Sequence, residues 1–223
     1  MPYPHIIHHG AVSGVTGSCH QLQMNADGSL LIDCGLFQGA EYSEQGGPDP
    51  TPPQINFPLE GIKALVVTHV HADHVGRIPH LLAAGFEGPI LCSEPSAKLL
   101  PLVLEDAFKL EFSRDPKRVE RFVHRIKQQL IALPFDHWFT VAHTQTLHAR
   151  LRLQRAGHIL GSAYVECDLN YPQVNVTRRI VFSGDLGAPQ AAFLPSPKSP
   201  ERADVLVLES TYGDRTHEDR QMR

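Results

Sequence analysis

The residues best suited to chemistry lie together in His69-Val70-His71-Ala72-Asp73-His74. Three imidazoles and a carboxylate within six residues supply the nitrogen and oxygen donors that zinc and similar divalent ions take. His69 and His71 are two apart, so in an extended segment both side chains point to the same side. Asp73 and His74 fall on the turn that follows and can aim at a second point nearby. Four donor groups at one strand end could hold two metals, which single-metal helical motifs such as H-E-x-x-H could not. A His-rich surface loop or a tag uses the same residue types, but a tag sits at a terminus with no strand before it.

These residues need a rigid support. Ile62 to Val67 is an apolar run that reads as a buried strand ending at Thr68. Gly76 to Ala84 reads as a helix with an apolar face, ended by Gly85. Upstream, Ile6-Ile7 starts a short strand and Gly10 to Ser18 is a loop of small residues. Cys19 to Met24 alternates as a strand, Asn25-Ala26-Asp27-Gly28 signals a hairpin turn, and Leu30 to Ile32 is the return strand. That strand ends at Asp33, an acid placed to face the histidines or, alternatively, to cap a turn. Residues 39–58 are rich in Gly, Pro, Gln and Ser and read as a long surface loop.

Downstream, Pro89 to Cys92 is a short strand, Ser93 starts a helix through Ala97 to Phe112, and Asp115-Pro116 restarts one to about Leu130. Lys109 to Lys127 holds seven Lys/Arg against three Asp/Glu, which reads as a solvated helix face rather than an RNA-facing patch. Thr146 to Gln154, Ala163 to Leu169 and Val176 to Phe182 form an antiparallel meander. Val205 to Leu208 is a final apolar strand that runs into Glu209. His158, in Ala-Gly-His-Ile-Leu-Gly-Ser, and Asp185, in Phe-Ser-Gly-Asp-Leu-Gly, both lie at strand ends beside glycines that allow close backbone approach. With the His run upstream, both become candidate ligands.

Composition bounds the rest. The chain has 223 residues, enough for one domain with a sizeable core, and 42% hydrophobic and 20% charged residues. The net charge of −4 excludes a polycation, so nucleic-acid binding would come from a local patch or from metals. No apolar run approaches the ~18 residues of a membrane span. The N-terminus lacks the pattern of a signal peptide, and the four cysteines show no C-x-x-C spacing, which together suggest reduced thiols in the cytoplasm. The other ten of the 14 histidines, His8, His9 and His20 among them, lack local company and read as surface or packing residues.

The ordered set Asp33, His69–His74, His158 and Asp185 resembles the metallo-β-lactamase superfamily, with its H-x-H-x-D-H signature. The resemblance implies an αββα sandwich over residues 1–223: two mixed sheets face to face, flanked by helices. Gly14-Val15-Thr16-Gly17-Ser18-Cys19, the His158 and Asp185 segments and Glu209-Ser210-Thr211-Tyr212-Gly213-Asp214-Arg215 resemble more narrowly the β-CASP branch of RNA- and DNA-processing nucleases. That implies a zinc-dependent ribonuclease. His69, His71 and His158 would hold one metal, Asp73 and His74 a second, and Asp185 would bridge them. The nucleophile would be a hydroxide held between two ions ~3.5–4 Å apart. Asp33 would fix the tautomer of a ligand histidine, and Glu209 would be a functional acid beside the site. In that branch an inserted domain follows the Glu209 segment and a later histidine completes the second metal. This chain stops at Arg223, so the expectation is an N-terminal portion, weakly active alone, with two zinc sites of which the second is one ligand short. The implied partners are RNA, with single-stranded DNA as an alternative, and a second copy in a homodimer; no membrane is implied. The competing readings are a metallo-hydrolase of another ester, thioester or lactone and a non-catalytic subunit of an RNA-processing complex.

Overall fold

Turn chemistry and apolar alternation set the first sheet. The computed structural model describes residues 3–38, 54–188 and 193–214. Most of the loop read at 39–58, and Arg215, lie outside the described residues. β1 (His5–His8), β2 (His20–Asn25) and β3 (Gly28–Ile32) pair antiparallel, with β2 and β3 joined by the expected hairpin. β4 (Ile62–Val66) lies parallel to β3. After it come α1 (Ala72–Val75), α2 (Ile78–Ala83) and β5 (Ile90–Ser93). The helix expected over 76–84 is α2, and a separate helical turn that the sequence reading did not give, α1, begins inside the His run. Gly76, between the two, lets Leu36 pack close, since a Cβ there would meet the Leu36 side chain at 2.5 Å.

α3 (Glu94–Glu111) and α4 (Pro116–Gln129) follow, with Ser93 and Asp115 as N-caps accepting from the amides of Ser96 and Arg118. β6 (Leu130–Leu133) then adds parallel to β5 and completes the order β1-β2-β3-β4-β5-β6. Neither β6 nor the next strand, β7 (Phe139–His143), was read from the sequence, because both are short and weakly alternating. β8 (His148–Arg155), β9 (Ala163–Tyr171) and β10 (Val176–Phe182) make the expected meander with β7, and β11 (Val205–Val207) runs parallel to β10 at the far edge. Both sheets are thus mixed, as expected.

The two faces of the central strands enter two different cores. Leu31 and Leu65 point to the layer formed by α1–α4, with Val75, Leu81, Leu100, Phe122 and Ile126. Leu30, Ile32, Ala64 and Val66 point to the other sheet, against Leu151, Leu153, Val165, Cys167 and Phe182. β3 is consequently buried at every position, as a strand covered on both faces must be. Val119, Phe122 and Ile126 put one stripe of α4 into the core, leaving Lys117, Arg118, Arg121 and Lys127 in solvent.

Among the described residues the helices all pack on the first sheet. The outer face of the second carries a polar network instead. Arg179 donates to Asp168 and Arg152 to Glu166, while Arg150 and Arg152 stack on Trp138 at 4.3 and 4.6 Å. No helix is long and apolar enough to cross a membrane among the described residues.

The two-core arrangement predicts that Leu30→Ala and Leu31→Ala, adjacent but facing opposite ways, each cost about 2–5 kcal/mol. Urea unfolding of both variants checks this. A near-neutral result for either would show that one face of β3 is not a core.

Candidate metal centre

β4 ends at Val66, and the chain runs out through Thr68 to the His run at the sheet's end. His69 Nε2 and His158 Nε2 each lie 3.1 Å from His71 Nδ1. Asp185 Oδ2 lies 3.8 Å from His69 Nε2 and 3.6 Å from His158 Nε2. These donor atoms from His69, His71, His158 and Asp185 fall within 4.8 Å of one another. Two ligands ~2.0–2.1 Å from a tetrahedral ion are about 3.4 Å apart, and the separations bracket that value. The donor set therefore fits a zinc-like ion.

A second group adjoins the first. His74 Nε2 lies 3.2 Å from Asp185 Oδ1 and 3.9 Å from Asp73 Oδ2. Asp185 thus offers one carboxylate oxygen to each group of side chains.

The support beneath explains the orientation. Asp33, 1% exposed, sits just past β3 with φ +59°, a left-handed backbone that Asp tolerates. Its Oδ1 accepts the Thr68 amide at 2.8 Å. Its Oδ2 accepts the Thr68 hydroxyl at 2.8 Å, the Ser18 hydroxyl at 3.3 Å and His74 Nδ1–H at 2.7 Å. With Nδ1–H directed at Asp33, His74 turns Nε2 toward the site. The Thr68 hydroxyl, donating to Asp33, is left to accept from His69 Nδ1 at 3.2 Å, which turns Nε2 of His69 the same way.

Electrostatics follow from burial and neighbours. Burial, then the nearby His74, push His69 down to about 2, so it is a neutral donor. His71 is lowered by burial and by His158. Burial disfavours charge on His74 as well, yet Asp33 and Asp185 outweigh it and raise the group to about 10. Burial alone would raise Asp185, but its hydrogen bond with His74 and the other imidazoles hold it at about 2.

Close backbone packing fixes the separations. A Cβ on Gly187 would lie 1.7 Å from Gly157 O, so the Asp185 and His158 loops touch main chain to main chain, joined by Gly187 N–H to Ala156 O at 2.8 Å. A Cβ on Gly35 would lie 1.6 Å from Asp73 O, which seats α1 against the Asp33 loop. Ser162 Oγ accepts the amides of His158 and Ile159, while Ser93 and Ser96 at the start of α3 donate to Gly161 O. Ser183 Oγ accepts the Glu209 amide, and Glu209 Oε1 accepts Leu186 N–H at 2.7 Å. Glu209 therefore braces the Asp185 loop through one of its carboxylate oxygens.

All eight residues singled out from the sequence converge here. Sequence reading missed the hydroxyls of Ser18, Thr68, Ser162 and Ser183, whose residue type is too common to stand out. It also missed that His8 and His20 line a cavity of about 280 Å³ beside His74 and Asp185.

The metallo-β-lactamase superfamily model matches residues 13–208. The chain belongs to that superfamily. It is 35% identical to a ribonuclease of Thermus thermophilus over 95% of this chain and 44% of that protein. It is 32% identical to a transcription termination factor of Cenarchaeum symbiosum over 90% of this chain and 30% of that one. An endoribonuclease of Kluyveromyces lactis is 27% identical over 96% of this chain and 27% of that one. These relatives are of the β-CASP type, and the chain spans less than half the length of each.

Replacing Asp33 by Asn removes the carboxylate that fixes the His74 proton. Zinc affinity at the His74 side should fall about 10–100-fold, and the thermal melt should fall as well, because an Asn amide cannot accept all four donors. Chelator competition measures the affinity, and unaltered affinity would contradict the orienting role.

Proposed function

We propose that this chain carries the metal centre of a two-zinc ribonuclease. The observation that carries the reading is Asp185, with Oδ2 turned to His69 and His158 and Oδ1 to His74. His69, His71 and His158 would hold one zinc, Asp73 and His74 the other, and Asp185 both. Zinc bound there would supply Lewis-acid polarisation of a phosphoryl oxygen and a water of lowered pKa.

The protein's own residues set the conditions for that chemistry. Asp33, directly at His74 and through Thr68 at His69, turns both Nε2 atoms toward the site, and the His74 Nε2 proton, held by Asp185, would leave when that nitrogen ligates. Glu209 and Ser183 hold the loop that carries Asp185, and Ser162 holds the loop that carries His158. The names of the relatives support RNA as substrate, with the phosphodiester as the bond broken. Four free, buried cysteines are in keeping with a reducing compartment such as the cytoplasm.

Asp73→Ala should leave the thermal melt near that of the wild type. It should reduce cleavage of a labelled single-stranded RNA by about 10²-fold or more, because a misplaced reacting group alone can cost that much. The assay uses the zinc-loaded product of the complete gene. Near wild-type cleavage would remove Asp73 from the site. Hydrolysis of thioesters or lactones with none of RNA would overturn the ribonuclease reading.

A further inference from the structure

The cavity beside the metal centre has a second pair of imidazoles. His8 and His20 are cross-strand partners in β1 and β2, so their side chains share a face. That face also carries Leu22 and Met24 into the core between the sheets, which places the pair at the end of that core. Their Nδ1 atoms are 2.9 Å apart, so they share one proton. His20 is buried and held down to about 4 by that burial, ahead of all other influences, so it is neutral near pH 7.

The chemistry of such a pair is specific. A neutral imidazole has one N–H and one lone pair. The ring that donates from Nδ1 is left with a lone pair on Nε2. The ring that accepts at Nδ1 must carry its hydrogen on Nε2. When both rings are neutral the pair offers one donor and one acceptor, and no hydrogen bond joins either Nε2 to another of the described residues. A phosphate accepts only, and among the described residues no Lys or Arg lines this cavity, while the carboxylates of Asp33, Asp185 and Glu209 do. Its walls are instead apolar in part, through Val12, Val15, Ile32, Phe182 and Leu208. A group that both donates and accepts on an otherwise weakly charged body is a sugar hydroxyl. The 2′-hydroxyl is the one that separates RNA from DNA.

We infer that the His8–His20 pair is a specificity subsite that reads the ribose 2′-hydroxyl next to the bond cleaved at the metal centre. This rests on the ribonuclease reading above and adds to it the residues that select RNA.

The test uses the zinc-loaded product of the complete gene, a single-stranded RNA whose cleavage position has been mapped, and the same strand with one 2′-deoxynucleotide on either side of that bond. One hydrogen bond's net worth predicts that the wild type loses roughly fivefold on one of the deoxy substrates. His8→Phe and His20→Phe should lose the same factor on RNA, and the two losses should not multiply when variant meets deoxy substrate. His8 is exposed, so its variant tests the pair without risk to the core, while His20→Gln should recover part of the rate. Equal losses on RNA and deoxy substrates would overturn the inference in favour of a phosphate contact or a packing role. Absence of any discrimination by the wild type would overturn it too. A wild type that cleaves neither substrate would refute the ribonuclease reading and this inference with it.

Discussion

A carboxylate taken out of water must be saturated with donors, and this requirement at Asp33 organises the molecule. Its four donors come from two other segments: Ser18 from one, and Thr68 by two groups and His74 from the other. None of these segments can shift without leaving a buried charge partly unsatisfied. The ligand-bearing turn, the end of β3 and the loop before β2 are thereby locked to one another. The backbone repeats the lock, since Ser18 N–H reaches Asp73 O and Cys34 N–H reaches His74 O. The positions of Nε2 in His69 and His74 are consequences of how Asp33 is satisfied.

The candidate donor cluster was legible in the sequence because its residue types are rare and their spacing is local. His69, His71, Asp73 and His74 stand within one strand end and one turn, so no tertiary knowledge is needed to group them. His158 and Asp185 were legible only through their glycines and through family resemblance, because what brings them in is the contact of two loops, Gly187 on Gly157. His8 and His20 were not legible. They lie twelve positions apart across a loop, and only the antiparallel register sets one beside the other. Strands with strong alternation, β8 to β10, were readable, while β6 and β7 were not, since each depends on its neighbour for order more than on its own pattern.

The second sheet shows a different solution to covering a face. Glu166 and Asp168 sit beneath Arg150, Arg152 and Arg179, with Trp138 as an apolar lid over the arginines. Arginine suits this task, since its planar head pairs with carboxylate edges and stacks on a ring at once. Lysine in the same places would keep the charge and lose the stacking.

The contributors to the donor set belong to opposite halves of the sandwich. His69, His71, Asp73 and His74 extend from the first sheet, while His158 and Asp185 hang from loops of the second. An ion shared by both halves is a clamp across the interior, and it closes a long stretch of chain whose free closure entropy is considerable. Separation of the sheets and release of the ion then become one event. The folding equilibrium of such a protein is tied by mass action to the free metal around it, so scarcity of the ion would weaken the architecture as well as the chemistry.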